Sequence, residues 1–96
     1  MKMVMITYNA SFDDEVTNII NKLHITTLTK WNRVLNQAEN ECTHLDSNIW
    51  PGFNFVIITA LEEDKIKSLS ILINNLRKNI KKEEIKIYIW PLEEII

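Results

Sequence analysis

Residues 53–60, FNFVIITA, decide the fold of this 96-residue chain, because they form an almost unbroken apolar run. A second such run is KMVMITY, residues 2–8. Strands that are covered by protein on both faces have this pattern, whereas strands with one face in water alternate apolar and polar residues. We therefore predict that these two segments are the interior strands of one sheet.

Each interior strand is followed by a segment with the apolar spacing of an amphipathic helix. In residues 12–23 the apolar positions recur every three or four residues, and Ser11 is the predicted N-cap. In the second segment the apolar stripe runs from Ile66 to Ile80 with the same steps. The acidic residues 62–64 precede it. We interpret them as a helix start favoured by the helix dipole, not as a catalytic carboxylate pair.

The two remaining strands have a more polar pattern. Residues 25–34 mix threonine, tryptophan and valine with polar residues, which indicates a strand at an edge or with one exposed face. Residues 84–90 alternate isoleucine with lysine, tyrosine and tryptophan, and Pro91 is expected to stop that strand. His24 directly follows the first helix, and we interpret it as a structural residue that interacts with the terminal carbonyls.

The predicted order of elements is β-α-β-β-α-β, the ferredoxin-like arrangement of an α+β fold. Right-handed crossovers place the first and third strands in the middle of a four-stranded antiparallel sheet, with both helices on one face. We expect one domain over residues 1–96. The chain has no further element to cover the other face, which predicts self-association. Met1, Met3 and Met5 alternate along the first strand, and we interpret them as packing residues.

The composition excludes several classes of protein. The net charge is −2, whereas nucleic-acid binding needs a basic face, so we expect no nucleic-acid partner. The single cysteine cannot form an intramolecular disulfide, and no segment approaches the ~20 apolar residues that span a bilayer. We therefore expect a cytoplasmic protein without membrane insertion. The usual catalytic motifs and a glycine-rich phosphate loop are absent, and we predict that the chain is not an enzyme.

The connection over residues 35–52 is much longer than an ordinary hairpin loop, and loops of this length tend to be functional or disordered. Cys42 and His44 are two residues apart, so they project to the same side of an extended chain. Thiolate and imidazole suit zinc or copper, with Glu41 and Asp46 as further ligands. Two alternatives stay open here: a solvated polar loop that binds nothing, and a nucleophilic Cys–His pair.

Five short segments carry a family resemblance. They are Tyr8-Asn9, Glu15-Val16, Thr29-Lys30-Trp31, THLDSNIWPG in the long loop and IWPLEEII at the end of the chain. With these segments the chain resembles the PII-like superfamily of small trimeric ferredoxin-like signalling proteins, which includes nitrogen regulators and divalent-cation tolerance proteins. The resemblance runs through essentially the whole chain, and the two Trp-Pro steps are its most specific part.

The resemblance implies a homotrimer in which the sheets face one another around a three-fold axis. It also implies that residues 35–52 take the place of the T-loop, which changes shape with ligand and contacts a partner, often a membrane transporter or an enzyme. Ligands would lie in clefts between subunits, with Trp31, Asn32 and Trp50 flanking the cleft at the base of the loop. Related branches are associated with heavy-metal efflux systems, which agrees with a metal-binding loop.

The chain also departs from the pattern of this superfamily. The connection IKKEEIKIY lacks the glycines with which PII nitrogen regulators bind adenine nucleotides, and the T-loop tyrosine that can be uridylylated is absent. ATP sensing of the usual kind is therefore not expected. Asn48 lies where the related branch often has a second loop histidine, which weakens the metal hypothesis. The alternative functions are a ligand-free assembly module and a small ferredoxin-like isomerase or monooxygenase, which would rely on Tyr8, Tyr88 and His24.

Overall fold

The computed structural model describes residues 1–35, 53–79 and 84–96. The elements are β1 (Lys2–Asn9), a 3₁₀ turn (Ala10–Phe12), α1 (Asp13–Lys22), β2 (Thr29–Val34), β3 (Asn54–Leu61), α2 (Glu63–Leu76), a second 3₁₀ turn (Arg77–Asn79) and β4 (Ile85–Pro91). This order confirms the predicted ferredoxin-like βαββαβ fold of the α+β class.

The four strands form one antiparallel sheet in the order β2-β3-β1-β4. The two apolar runs are therefore the interior strands, as predicted. In the middle of the sheet Ile6 of β1 pairs with Ile57 of β3 on one side and with Ile87 of β4 on the other. The more polar β2 and β4 form the two edges, which agrees with their sequence pattern.

The core lies between one face of the sheet and the two helices. Alternate residues of β1 are fully buried there, because successive side chains of a strand point to opposite faces. The buried cluster combines Val4, Ile6 and Tyr8 of β1 with Val16 and Ile20 of α1 and with Ile66, Leu69 and Ile73 of α2. Both helices thus cover the same face, which confirms the predicted layer arrangement.

The opposite face of the sheet, which we call the bare face, is apolar and partly open. Met3 and Met5 of β1 point to it, between the buried positions of that strand. The register sets Trp90 beside Met3, and Tyr88 and Ile58 beside Met5. Tyr88 and Trp90 are 44% and 40% exposed. The near-continuous apolar runs therefore have one face in the core and one face that the two helices do not cover.

The predicted strand over residues 25–34 was wrong in its first four residues, because β2 begins only at Thr29. The amide of His24 donates to the carbonyl of Asn21 at 3.0 Å, and the amide of Ile25 donates to the carbonyl of Ile20 at 3.1 Å. This pair of bonds is the Schellman motif that ends a helix. His24 adopts the left-handed conformation that the motif needs, with φ 56°. His24 therefore ends the helix through its backbone, whereas the predicted contact of its imidazolium with the terminal carbonyls stays a prediction.

Several predicted element ends also needed correction. Ser11 is not the N-cap of the first helix. It lies in the 3₁₀ turn, and its amide donates to Oδ1 of Asn9 at 2.9 Å, because the extended Asn9 caps that turn first. The last strand was predicted to end at Trp90, before Pro91, but Pro91 is its final residue and pairs with Lys2, which an edge strand tolerates. Ile80, the predicted last residue of the second apolar stripe, lies outside the described residues.

Candidate functional site

Five of the seven predicted metal and cleft residues lie outside the described residues. Cys42, His44, Glu41, Asp46 and Trp50 all fall within residues 36–52, which lie outside the described part of the chain. Within residues 1–35, 53–79 and 84–96, no group of three or more His, Cys, Asp or Glu side chains is arranged to hold a metal ion. The zinc or copper hypothesis for the long loop therefore stays a prediction.

Trp31 and Asn32, the two predicted cleft residues that are described, lie at the exposed edge of the sheet. Trp31 pairs with Val56, so its side chain is on the bare face, where it is 47% exposed. The register then shifts by one residue before Val34. Asn32 and Arg33 thus form a β-bulge, which bends an edge strand and increases its twist.

The bulge sits at the base of the long loop and is strained. Arg33 has φ 59°, a left-handed conformation that costs a non-glycine residue about 1–2 kcal/mol. Its guanidinium lies 4.3 Å from the centroid of the Phe53 ring, on the other side of the loop. The carbonyl of Phe53 in turn accepts a 2.8 Å hydrogen bond from the amide of Ala10. These contacts tie the two ends of the loop to each other and to the end of β1.

A polar cluster next to this base was not predicted from the sequence. The hydroxyl of Tyr8 donates to Oδ1 of Asp13 at 2.6 Å, and Nζ of Lys30 donates to the same oxygen at 2.7 Å. Nζ of Lys30 also lies 4.9 Å from the centroid of the Phe55 ring, which meets the Tyr8 ring edge-to-face at 5.9 Å. The cluster connects β1, α1 and β2.

The cluster favours ionised Asp13 and neutral Tyr8. Burial alone would raise the pKa of Asp13, but the hydrogen bonds from Lys30 and Tyr8 outweigh it and hold the pKa below its ordinary value. Burial, followed by the hydrogen bond to Asp13 and its negative charge, raises the pKa of Tyr8 well above its ordinary range. A hydroxyl that stays protonated and donates to a carboxylate is a structural group, not an activated base or nucleophile.

A groove of about 390 Å³ opens at the other end of β2. It lies between the connection from α1 to β2, the end of β3 and the start of α2. Its walls are Met1, His24, Ile25, Thr26, Thr27, Thr59, Ala60, Leu61, Glu62, Lys65 and Ile95. Its volume is within the range of about 300–1,000 Å³ that is typical of small-molecule sites.

The groove is mainly apolar, with the buried Thr59 inside it and the more exposed Lys65 and Glu62 at its rim. Oγ1 of Thr59 donates to the carbonyl of Thr27 at 2.7 Å, which joins β3 to the residues before β2. Nζ of Lys65 donates to the carbonyl of His24 at 3.2 Å. An ammonium has three donors, so Lys65 has further protons for a ligand. Lys65 therefore suits an anionic substituent on a ligand with an apolar body, whereas the carboxylate of Glu62 suits a hydrogen-bond donor.

The groove was not predicted from the sequence, because residues 25–28, which include part of its wall, were assigned to a strand. Their threonines looked like β-formers, and Thr59 looked like one polar residue in an apolar run. The available signal was Thr59 itself, since a polar residue in an interior strand needs a buried partner. That partner, the carbonyl of Thr27, is 32 residues away in the chain.

No helix of the described residues is long and apolar enough to cross a membrane.

Comparisons with known proteins give a likeness in structure alone. No family model matches the sequence, and no curated protein matches it. The chain is similar in structure to CPII from Thiomonas intermedia K12 bound to ADP and bicarbonate. That likeness has a TM-score of 0.74 and 10% identity, and it covers 93% of this chain and 82% of that one.

Two further structures of CPII give the same result. The form bound to ADP, AMP and acetate has a TM-score of 0.71 and 10% identity, with 92% and 81% of the two chains covered. The apo form, described as a nitrogen regulatory PII-like protein, has a TM-score of 0.68 and 12% identity, with 93% and 85% covered. The chain therefore has a PII-like fold, as the resemblance in its sequence implied.

Proposed function

We propose that this chain is a cytoplasmic PII-like regulatory protein, not an enzyme, that assembles as a homotrimer and senses a small ligand. The observation that carries the proposal is the bare face on a PII-like fold. A fold of this size leaves one apolar sheet face uncovered, and three copies around an axis are the cover that the resemblance implies. The groove at the start of β2 supports the ligand-sensing part.

The proposed assembly rests on the chemistry of the bare face. Met5 lies between Ile58 and Tyr88 in the register, so three neighbouring strands present apolar side chains in one row. Contiguous apolar surface of this kind is typical of interfaces, where its burial contributes about 25 cal/mol per Å². Exposed aromatic side chains at the margin, such as Trp31, are favoured as interface anchors.

Light scattering tests the assembly. We expect a mass three times the 11.3 kDa of one chain. Ile58→Lys puts a charge in the middle of the bare face and should reduce the mass toward that of one chain. Ile71→Lys is the matched control, because Ile71 is 62% exposed on α2, away from the sheet. A wild-type monomer at micromolar concentration would refute the trimer.

The proposed ligand is nucleotide-sized and carries an anionic group. The volume of the groove and the ammonium of Lys65 at its rim support this class. CPII, which shares the fold, has been seen with ADP together with bicarbonate, AMP or acetate. This chain lacks a glycine-rich loop before β4, so binding would depend on the groove more than on that loop.

Calorimetric titration with ADP and AMP, with and without bicarbonate, tests the ligand. Thr26→Trp fills the groove, because Thr26 is an exposed residue of its wall. Asn18→Trp adds the same side chain at an exposed position of α1 as a control. We expect the first variant to abolish binding and the second to leave it unchanged. Equal binding by both variants would rule out the groove as the site.

Metal sensing and a transporter partner are finer parts of the proposal, and they rest on the sequence and the resemblance. The proposed ligands Cys42 and His44, with Glu41 and Asp46, would bind zinc or copper. Titration of Zn²⁺ and Cu⁺ into Cys42→Ser and His44→Ala variants tests them, and an unchanged affinity in both would remove these residues from any metal site. A trimer that binds none of these metals or nucleotides would be the ligand-free assembly module.

A further inference from the structure

The edge strand β2 is attached to the rest of the molecule differently from the other strands. Its residues Thr29–Arg33 are all exposed, and only Val34 is partly buried. It pairs with one neighbour, β3, over three consecutive residues before the bulge. By contrast, β1 buries Val4, Ile6 and Tyr8 almost completely in the core. Burial within one chain therefore contributes little to holding β2 in place.

Side-chain contacts hold β2 at separate points. Just before the strand, Thr59 bonds the carbonyl of Thr27 at 2.7 Å. Within the strand, Lys30 bonds Asp13 of α1 at 2.7 Å. The last of these contacts is Arg33 against the ring of Phe53. Of the three contacts, only the one from Lys30 joins β2 to an element other than the connections next to it and its neighbour β3. Its partner Asp13 belongs to α1, the helix that follows β1.

Asp13 is well placed to fix Lys30. The hydroxyl of the buried Tyr8 holds the same carboxylate oxygen at 2.6 Å, so the acceptor is already oriented. The Phe55 ring lies 4.9 Å from the ammonium, and an aromatic face attracts a cation. The side chains of Lys30 and Asp13 are each 30% exposed, so water screens the pair less than a fully solvated one.

Strain in β2 acts in the opposite direction. Arg33 is held in a left-handed conformation within the bulge, and such strain persists only where surrounding contacts impose it. A strand with little burial, one neighbour and internal strain is among the least stable parts of a fold, where the free energy of local opening is low.

We propose that β2 is a detachable strand, which opens from β3 as a unit while the other three strands stay paired, and that the Lys30–Asp13 contact is the clasp that sets its closed population. Thr26 and Thr27 of the groove directly precede β2, and the long loop directly follows it. The strand therefore connects these two regions whether or not a ligand is found, so the inference stands apart from the proposed function.

Amide hydrogen exchange on the ligand-free protein tests the clasp. Lys30→Met removes the charge but keeps a long apolar side chain, and Asp13→Asn is a second variant that keeps the size of the acceptor. Loss of an ion pair with this exposure changes the equilibrium between closed and open β2 by about fivefold. We therefore expect exchange of the protected amides of Thr29–Val34 to become about fivefold faster in either variant, with the amides of β1, β3 and β4 unchanged.

Lys2→Met provides the matched control. Lys2 and Glu63 also form an ion pair at 2.7 Å, but at the other end of the sheet and with 44% and 59% exposed side chains. This variant should leave β2 exchange at the wild-type rate, and Lys30→Arg should restore most of the protection. Unchanged β2 exchange in both clasp variants would overturn the proposal. Equal acceleration in all four strands, or faster β2 exchange in Lys2→Met, would overturn it as well.

Discussion

Replacement of Tyr8 by phenylalanine tests the polar cluster by removal of one oxygen atom. The Tyr8 side chain is 1% exposed, and its hydroxyl donates to Asp13 at 2.6 Å. Phenylalanine keeps the ring that meets Phe55 edge-to-face at 5.9 Å. Asp13 also keeps its bond from Lys30, so the carboxylate is not left without a partner. The variant therefore measures one hydrogen bond to a charged acceptor.

The expected loss of stability follows from the exposure of that acceptor. A hydrogen bond to a charged group contributes about 1.5–3 kcal/mol. The side chain of Asp13 is 30% exposed, so water weakens the bond, and we expect a loss near the lower limit of about 1.5 kcal/mol. For a domain of this length that corresponds to a decrease in Tm of roughly 6–12 °C.

Urea unfolding followed by circular dichroism, at one fixed chain concentration, gives the change in the free energy of unfolding. The concentration must be held constant because subunit association would itself shift the apparent stability. Ser68→Ala removes a hydroxyl from an exposed position of α2 and is the control. It should change the free energy of unfolding by less than about 0.5 kcal/mol. A Tyr8→Phe variant as stable as this control would refute the structural role of the cluster.

The pH dependence gives a second, independent check. Because the pKa of Asp13 is lowered by folding, its contribution to stability is present above the ordinary pKa of about 4 and is lost as the pH falls toward the lowered value. Because the pKa of Tyr8 is raised by folding, its contribution is present below the ordinary pKa of about 10 and is lost as the pH rises above it. The difference in stability between wild type and Tyr8→Phe should therefore be largest between these limits. A difference that does not change with pH would contradict a bond to the ionised carboxylate.

Substitutions at two further positions, His24 and Thr59, test the groove end of β2. His24→Gly should raise the free energy of unfolding by about 1 kcal/mol, because glycine adopts φ 56° without a steric cost, whereas His24→Ala should give no such gain. Thermal unfolding of both variants decides between relief of backbone strain and loss of the imidazole. Thr59→Val should lower the free energy of unfolding by about 1–3 kcal/mol, because the carbonyl of Thr27 loses its 2.7 Å donor. Thr59→Ser keeps a hydroxyl and should recover part of that loss. Urea unfolding measures both variants. An equal loss of stability with valine and with serine would contradict the assignment of the Thr59 hydroxyl as the donor to Thr27.

The fold could be predicted because its main signals are local. Hydrophobic periodicity identified both interior strands and both helices, and the handedness of crossovers then fixed the order of the sheet. The ends of elements were less predictable. Residues 25–28 have the composition of a strand, but the Schellman motif at His24 turns the chain first, and no glycine marks that turn. A histidine in a left-handed conformation gives no signal in the sequence.

The polar cluster could not be predicted, because it depends on distances that only the assembled sheet defines. Tyr8 and Asp13 are five residues apart, which is neither a strand spacing nor a helix spacing, and the 3₁₀ turn between them brings them together. Lys30 lies 17 residues from Asp13 and reaches it past the ring of Phe55. The sequence displayed Tyr8 and Lys30 only as members of two separate short motifs.

The strand β2 links three features that the sequence presented as separate. Thr26 and Thr27 of the groove lead into it, Trp31 places it on the bare face, and Val34 ends it at the base of the long loop. Coupling between sites is reciprocal. If a ligand in the groove binds the closed position of β2 more tightly by some factor, closure of β2 must strengthen ligand binding by the same factor. Removal of the Lys30–Asp13 clasp should then weaken ligand binding no more than it increases strand opening, and a greater loss of affinity would require that Lys30 contacts the ligand directly.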